Sequence, residues 1–168
     1  MSSNTIDYTV TMDAIAVVGK LTSVAMGLDS YLNSVLVNAA YATNEEMKSK
    51  APVGVGGSMG AGLQGSIRTT YDVVAGSGNH SALIAPTAPY AAYVETGTRP
   101  HSPPAGPDSS LAQWCEMKGL NLWAVVTSIR RKGTQPHPYV EPTYRVMEPI
   151  VEAMFDDGIA QYISEAAA

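Results

Sequence analysis

The sequence predicts an α+β fold, with a small antiparallel β-sheet packed against a long N-terminal helix and a C-terminal helix, and with extended Gly- and Pro-rich loops. Three observations predict it: helical spacing of apolar residues in the first fifty positions, an alternating stretch near 66–85, and renewed helical spacing after Pro142. At 168 residues, 45% hydrophobic and 15% charged, the chain is expected to form one globular domain over residues 1–168.

The first predicted element is helical and covers about residues 12–51. Its apolar residues recur at spacings of three and four between Ile15 and Ala39. Gly27 could divide this stretch into two helices, and Pro52 should end it.

The sheet and the main loops are predicted over about residues 63–142. Ile67, Thr69, Tyr71 and Val73 alternate with polar residues, which predicts a half-buried strand. A turn at 76–79 and a returning strand at 80–85 complete an antiparallel hairpin.

Short helices and loops follow the hairpin. Residues 90–95 should form a helical turn ended by Gly97, and the four prolines within 99–107 predict an irregular segment. A helix capped near 108–110 should end at Gly119, and another should run from 122 to about 132.

The last element is a predicted helix over about residues 142–165. Pro142 suits the first position of a helix, where the missing N–H is not needed. Pro149 should either kink this helix or mark its true start. The acidic residues Glu148, Glu152 and Asp156 are expected on its solvated face.

Charge and cysteine content exclude several classes of protein. The net charge of −5 argues against a dedicated nucleic-acid-binding domain, which would carry a clustered basic face. Cys115 is the single cysteine, so no intramolecular disulfide can form, and the chain is expected to be made in a reducing cytoplasm. No uncharged stretch is long enough to span a membrane.

The sequence offers little that would support catalysis. The three histidines have no partners at metal-ligand spacing, and the glycine-rich stretch 53–62 lacks the Lys-Ser/Thr of a phosphate-binding loop. Cys115 beside Trp114 is interpreted as a small buried hydrophobe. We expect no catalysis, no cofactor and no metal, with a small hydrolase using Cys115 or Ser66 as the alternative from another class.

Two related segments are the most specific features of the chain. YAAYVETGT occupies residues 90–98, and KGTQPHPYVEP occupies residues 132–142. Each combines an aromatic and apolar run with a Gly-Thr pair and nearby proline, residues that fix the direction of the chain at the edge of a domain. They predict a protein that binds to other subunits of an assembly.

These segments, in this order and after Ala51-Pro52-Val53 and a glycine-containing loop, resemble the tail-completion or neck proteins of long-tailed double-stranded DNA bacteriophages. The resemblance covers roughly residues 30–160. It implies a structural virion protein that forms an oligomeric ring, expected to be a hexamer, completes the head-proximal end of the tail and helps to join tail to head. A tail terminator or head-closure ring protein is the alternative within virions.

The resemblance also implies partners and a location. The partners are further copies of the chain, the adjacent head-tail connector, and the tail terminator or tail tube proteins; no membrane partner is expected. DNA would pass through the channel without sequence-specific binding, which an acidic chain favours. The protein would be made in the host bacterial cytoplasm and located in the neck or tail of the virion.

Two sets of residues are candidate contact surfaces. The predicted subunit or ring-ring interface consists of Tyr90, Tyr93, Glu95, Thr98, Arg99, His101, Gly133, Thr134, Pro136, Pro138 and Tyr139. The predicted flexible docking loop consists of Gly54, Gly56, Gly57, Ser58, Met59 and Gly60. Among the aromatic residues, Tyr93 and Trp114 are expected in the core.

Overall fold

A computed structural model describes the backbone of residues 4–54, 62–73 and 79–166, and the side chains within these ranges at residue 20 and from residue 22 onward. The elements in chain order are α1 (Asn4–Lys50), α2 (Leu63–Ser66), β1 (Ile67–Val73), β2 (His80–Pro86), α3 (Ala91–Thr96), α4 (Ser110–Lys118), α5 (Leu122–Lys132) and α6 (Val140–Ala166). The two strands form an antiparallel sheet, so the predicted α+β class is confirmed.

Helix α1 is one continuous helix that begins at Asn4, earlier than the predicted start at about residue 12. The predicted interruption at Gly27 is wrong. A side chain at Gly27 would begin 2.3 Å from the hydroxyl of Tyr162, which donates a hydrogen bond of 2.7 Å to the carbonyl of Val24. Glycine at this position therefore permits the close approach of a tyrosine rather than ending the helix.

The chain divides into two compact units. The first comprises residues 1–39, 71–82 and 151–168. Within it the rings of Tyr31 and Tyr162 lie 5.5 Å apart, and Gly158 lies against Val35. His80 and Asp29 are joined by a contact of 2.7 Å between Nε2 and Oδ1, and both side chains are largely buried.

The second unit comprises residues 40–70 and 83–150. Its core is formed by Met47, Ala51, Leu63, Ile67, Ala91 and Tyr139. The side-chain amide of Gln64 donates hydrogen bonds of 2.9 Å to the carbonyls of Lys48 and Ala51. These contacts satisfy backbone carbonyls at the end of α1, which have no partner within the helix.

The predicted half-buried strand is confirmed in its extent but only in part in its burial. Ile67 is 1% exposed and Thr69 is intermediate, whereas Tyr71 and Val73 are each 42% exposed. Alternation identifies the side chains that share one face of a strand, but it does not tell whether another element covers that face. The hairpin turn predicted at 76–79 lies outside the described residues except for Asn79.

Helices α4 and α5 follow the local signals in the sequence. Ser109 caps α4 by accepting a hydrogen bond from the N–H of Ala112, and Gly119 ends it at φ 64°. Asn121 caps α5 in the same way through the N–H of Ala124. Residues 99–107 form neither helix nor strand, as their prolines predict.

Helix α6 begins at Val140, two residues before the predicted start at Pro142. Pro142 still lies in the first turn, where a missing N–H costs no hydrogen bond. Pro149 does not mark the start, because the helix continues through it to Ala166. In the ranges that the structure describes, no helix has an apolar stretch sufficient to cross a bilayer.

Candidate functional site

The first of the two sequence segments forms α3 and places Glu95 at the start of α6. The Glu95 carboxylate accepts three backbone hydrogen bonds, from the N–H groups of Tyr139 (2.7 Å), Val140 (2.9 Å) and Glu141 (3.0 Å). The first N–H groups of a helix have no partner within it, and the helix dipole favours a negative charge there. Glu95 therefore caps a helix that begins 45 residues later in the chain.

Burial and these hydrogen bonds act on the pKa of Glu95 in opposite directions. Burial of the carboxyl raises the pKa, whereas the three N–H donors from Tyr139, Val140 and Glu141 lower it. The donors outweigh burial, so the pKa of Glu95 lies below its ordinary value and the group is ionised at neutral pH.

The two Gly-Thr pairs meet each other. Thr98 and Thr134 form an antiparallel bridge, in which each backbone N–H donates to the other's carbonyl at 3.1 and 3.2 Å. Their hydroxyls lie 2.9 Å apart, and the Thr98 hydroxyl also accepts from the N–H of Thr134. The similarity of the two segments in sequence thus corresponds to a direct pairing in space.

The glycines of the same pairs permit this approach. Gly97 and Gly133 have φ of 72° and 76° and follow α3 and α5 directly. A Cβ at Gly97 would lie 2.6 Å from the carbonyl oxygen of Thr134, and one at Gly133 would lie 1.8 Å from that of Thr98. Both positions therefore require glycine, for the backbone conformation and for the space.

The second segment also supplies Tyr139, which is completely buried in the core of the second unit. Burial, with further effects of the Glu95 charge and of Tyr90, raises the pKa of the Tyr139 phenol. The phenol oxygen has no hydrogen-bond partner among the described residues. Tyr139 was predicted as an interface residue, and its side chain is not available on the surface of this unit.

The bridge forms one wall of an open groove with a volume of ≈ 800 Å³. Helices α4 and α5 and the loop 99–107 provide the other walls. The groove is lined by Pro89, Tyr90, Tyr93, Val94, Thr98, His101, Pro104, Leu111, Trp114, Val125, Ile129, Thr134, Gln135 and His137. No Asp, Glu, Lys or Arg belongs to this lining, so the groove is predominantly apolar with two histidines at its surface.

The groove collects five of the predicted interface residues: Tyr90, Tyr93, Thr98, His101 and Thr134. Tyr93 is 61% exposed and Tyr90 is 45% exposed, so the expectation that Tyr93 lies in the core is wrong. The short helix α3 turns Tyr93 away from the core, whereas Ala91 faces it. Trp114 is only partly buried and lines the groove.

The remaining predicted interface residues lie around this site. Arg99, Pro136 and Pro138 are exposed, Gly133 directly precedes the bridge residue Thr134, and Glu95 caps α6. Of the predicted docking loop only Gly54 is described, and no atom of the described residues lies within 4 Å of the position of its missing Cβ. Gly56, Gly57, Ser58, Met59 and Gly60 lie outside the described residues.

Sequence reasoning missed the wall formed by α4 and α5. Leu111, Val125 and Ile129 were assigned only to helices, and their shared groove depends on the packing of α4 against α5. The capping role of Glu95 was also missed. A signal for it exists, because no Ser, Thr, Asp or Asn immediately precedes α6, whose first N–H groups then need a partner from elsewhere.

The groups considered for catalysis have structural roles in the described ranges. Cys115 is 1% exposed within α4, and the Ser66 hydroxyl donates to the carbonyl of Leu63 at 2.7 Å. Across the part of the chain that the structure describes, no cluster of three His, Cys, Asp or Glu side chains could hold a metal ion.

An exposed apolar groove beside paired backbone segments is the kind of surface through which proteins bind one another. Residues 16–97 match the HK97-gp10-like family model, described as "Bacteriophage HK97-gp10, putative tail-component". The match ends at Gly97, one residue before the end of the first Gly-Thr segment, and agrees with the resemblance to neck and tail-completion proteins. It supports a structural protein of the phage tail and a place in the virion. No curated protein and no solved structure matches the chain.

Proposed function

We propose that this chain is a neck protein that forms a ring, completes the head-proximal end of the tail and helps to join tail to head. One observation supports the proposal: the two segments that are most specific to the family resemblance pair through Thr98 and Thr134 and contribute one wall of an exposed apolar groove. An aromatic and apolar lining without charged residues is typical of the centre of a protein-protein interface.

The exposure of large apolar side chains supports contacts with other subunits. Trp123 is 77% exposed, Tyr41 is 67% exposed and Met26 is 66% exposed. A ring requires two different complementary patches on each subunit, since the same heterologous contact must repeat until the circle closes. Apolar surface outside the groove is therefore required as well as the groove itself.

The test uses tails assembled without this protein and the purified full-length chain. We expect the chain to bind one end of tails of normal length and to restore their joining to DNA-filled heads, measured by negative-stain microscopy and by infectivity. Buffer alone and an unrelated protein of similar size and charge are the controls.

The outcomes separate the proposal from its alternatives. Tails of uncontrolled length that become uniform when the chain is present during their assembly would indicate a tail terminator. Heads that lose DNA until the chain is added would indicate a head-closure protein. A chain that binds neither tails nor heads would contradict a role in the neck.

A further inference from the structure

Charge is divided unequally between the two compact units. The segments 1–39, 71–82 and 151–168 contain eight Asp and Glu but only one cation, Lys20, which gives a net charge of −7. The segments 40–70 and 83–150 contain nine Lys and Arg against seven Asp and Glu, which gives +2. The acidic unit of one copy and the slightly basic unit of another therefore attract each other.

Two exposed cations of the second unit are close in sequence to residues that line the groove. Val125 and Ile129 line the groove from α5, and Lys132 follows at a spacing of three on the same face of that helix. Arg99 directly follows Thr98 of the groove wall, and its carbonyl carbon lies 2.8 Å from the position of a Cβ at Gly133. Both cationic side chains are exposed.

An exposed helical stripe in the first unit has the complementary chemistry. Glu152, Asp156, Ile159 and Ile163 of α6 follow one another at spacings of four, three and four, so they share one face of the helix. Ile163 is 59% exposed and Ile159 is 36% exposed, and both carboxylates are exposed. The stripe is acidic at its N-terminal end and apolar at its C-terminal end.

We propose that the groove of one copy binds the helical stripe 152–163 of a second copy. Ile159 and Ile163 enter the apolar groove against Tyr93, and Glu152 and Asp156 face Lys132 and Arg99. The contact is a helix-in-groove contact between two different patches of the same chain, which is the kind that closes a ring. This inference rests on the proposed function and names the surface through which the ring assembles.

The first experiment measures self-association of the full chain by sedimentation equilibrium up to about 1 mM, a limit that detects dissociation constants in the millimolar range. We expect concentration-dependent association that weakens when NaCl rises from about 50 to about 500 mM, since the paired charges are exposed and are screened by salt. A chain that remains monomeric up to this concentration, or one whose association is insensitive to salt, overturns the proposal.

Charge reversal identifies the two patches. A groove variant carries Arg99→Glu with Lys132→Glu, and a helix variant carries Glu152→Lys with Asp156→Lys. Each alone should associate at least about tenfold more weakly, because like charges then face each other. The matched control is Lys48→Glu with Arg145→Glu, which reverses two cations of the second unit outside the groove, each in a local ion pair, and should associate as the original chain does.

An equimolar mixture of the two variants provides the decisive step. The acidic groove of the groove variant then faces the basic helix of the helix variant. The original groove of the helix variant faces the original helix of the groove variant. Copies of the two variants that alternate should therefore associate again. Failure of the mixture to recover overturns the proposal. Tyr93→Ala and Ile163→Ala remove exposed apolar contacts without changing charge and should each weaken association about tenfold, which keeps the test valid if a charge variant misfolds.

Failure of this inference and failure of the proposed function give different results. If the variants associate normally and tails are still completed, the neck role stands and the groove contact is wrong. If the chain associates through the groove but never engages tails, the groove contact stands and the neck role is wrong.

Discussion

The ionised carboxylate of Glu95 connects α3 to the start of α6 through hydrogen bonds with backbone N–H groups. We predict that Glu95→Gln lowers the free energy of unfolding by about 1–3 kcal/mol, because an amide accepts more weakly than a carboxylate and its NH₂ group would face backbone donors. The measurement is urea unfolding followed by circular dichroism. Glu116→Gln, an exposed change of the same charge in α4, should stay within about 0.5 kcal/mol. Equal effects of the two substitutions would contradict the capping role.

The same carboxylate predicts a pH dependence. Its pKa is lower in the folded chain than its ordinary value of 4.5, so the unfolded chain binds the proton more readily. The stabilisation is therefore fully present above pH 4.5 and is lost as the pH falls through the folded pKa. We expect the unfolding free energies of the original chain and of Glu95→Gln to converge between pH 5 and strongly acidic pH. A difference that stays constant over this range would rule out Glu95 as the titrating group.

The hydroxyl of the buried Tyr139 should not contribute to the stability of the protein. Its oxygen has no partner among the described residues, and an unsatisfied buried polar group costs about 1–3 kcal/mol. Tyr139→Phe should therefore leave stability unchanged or raise it by up to about 1 kcal/mol, as measured by chemical unfolding. Tyr41→Phe, at an exposed position, is the control and should have little effect. A loss of more than 1 kcal/mol for Tyr139→Phe would mean that the hydroxyl has a partner.

Ionisation of the same phenol gives a second readout for Tyr139. Because burial raises the pKa of Tyr139 above 10.0, the fold accommodates the neutral phenol better than the phenolate, and stability is lost as the pH rises from 10.0 through the folded pKa. Tyr139→Phe should remove this part of the alkaline destabilisation.

At the scale of elements, the paired Gly-Thr segments fix the positions of α3 and α5. Gly133→Ala should cost about 3 kcal/mol or more, since alanine would combine a left-handed φ with a Cβ 1.8 Å from the Thr98 oxygen. Gly119→Ala has a similar φ of 64° but open space around it, so it should cost only about 1–2 kcal/mol. Gly106→Ala, with open space and no positive φ, should be near neutral. Thermal unfolding of the three variants measures this order, and equal losses at Gly133 and Gly119 would show that the close approach costs nothing.

The elements also show which features the sequence could predict. Caps at Ser109 and Asn121 and stops at Gly97, Gly119 and Gly133 depend on neighbouring residues, and each was predictable from local chemistry or spacing. Gly27 was misinterpreted because its role depends on Tyr162, at a distance of 135 positions in the chain.

The candidate site also combines features that local sequence predicts with features that depend on tertiary contacts. Tyr90, Tyr93, Thr98 and Thr134 were predicted from the two segments and His101 from the loop 99–107, whereas the wall from α4 and α5 depends on tertiary packing. The pairing of the two Gly-Thr segments and the cap from Glu95 are contacts between distant parts of the chain. A single sequence reports the residue types needed for such contacts but not which residues they join.

At the scale of the whole molecule, the positions at which the chain passes between the two compact units are informative. The four passages fall at 39/40 in α1, 70/71 in β1, 82/83 in β2 and 150/151 in α6. Domain boundaries normally lie in exposed linkers, which fray and bend independently of the elements they connect. Here every passage is inside a helix or a strand, so unfolding of either unit must break the hydrogen bonding of elements that continue into the other. We therefore retain the prediction of a single domain over residues 1–168.

A single domain of this kind should unfold in one cooperative transition. We expect the calorimetric and van't Hoff enthalpies of the original chain to agree, and the far-ultraviolet and tyrosine signals to give the same midpoint. Glu95→Gln acts in the second unit. It should lower the hydrogen-exchange protection of the amides around Tyr31 and Val35 in the first unit by as much as that of the amides around Tyr139. Tyr162→Phe, which removes a hydrogen bond in the first unit, provides the reciprocal control. Two resolved transitions, or a variant that shifts only its own unit, would mean that the continuous helices do not couple the units and that the chain comprises two domains.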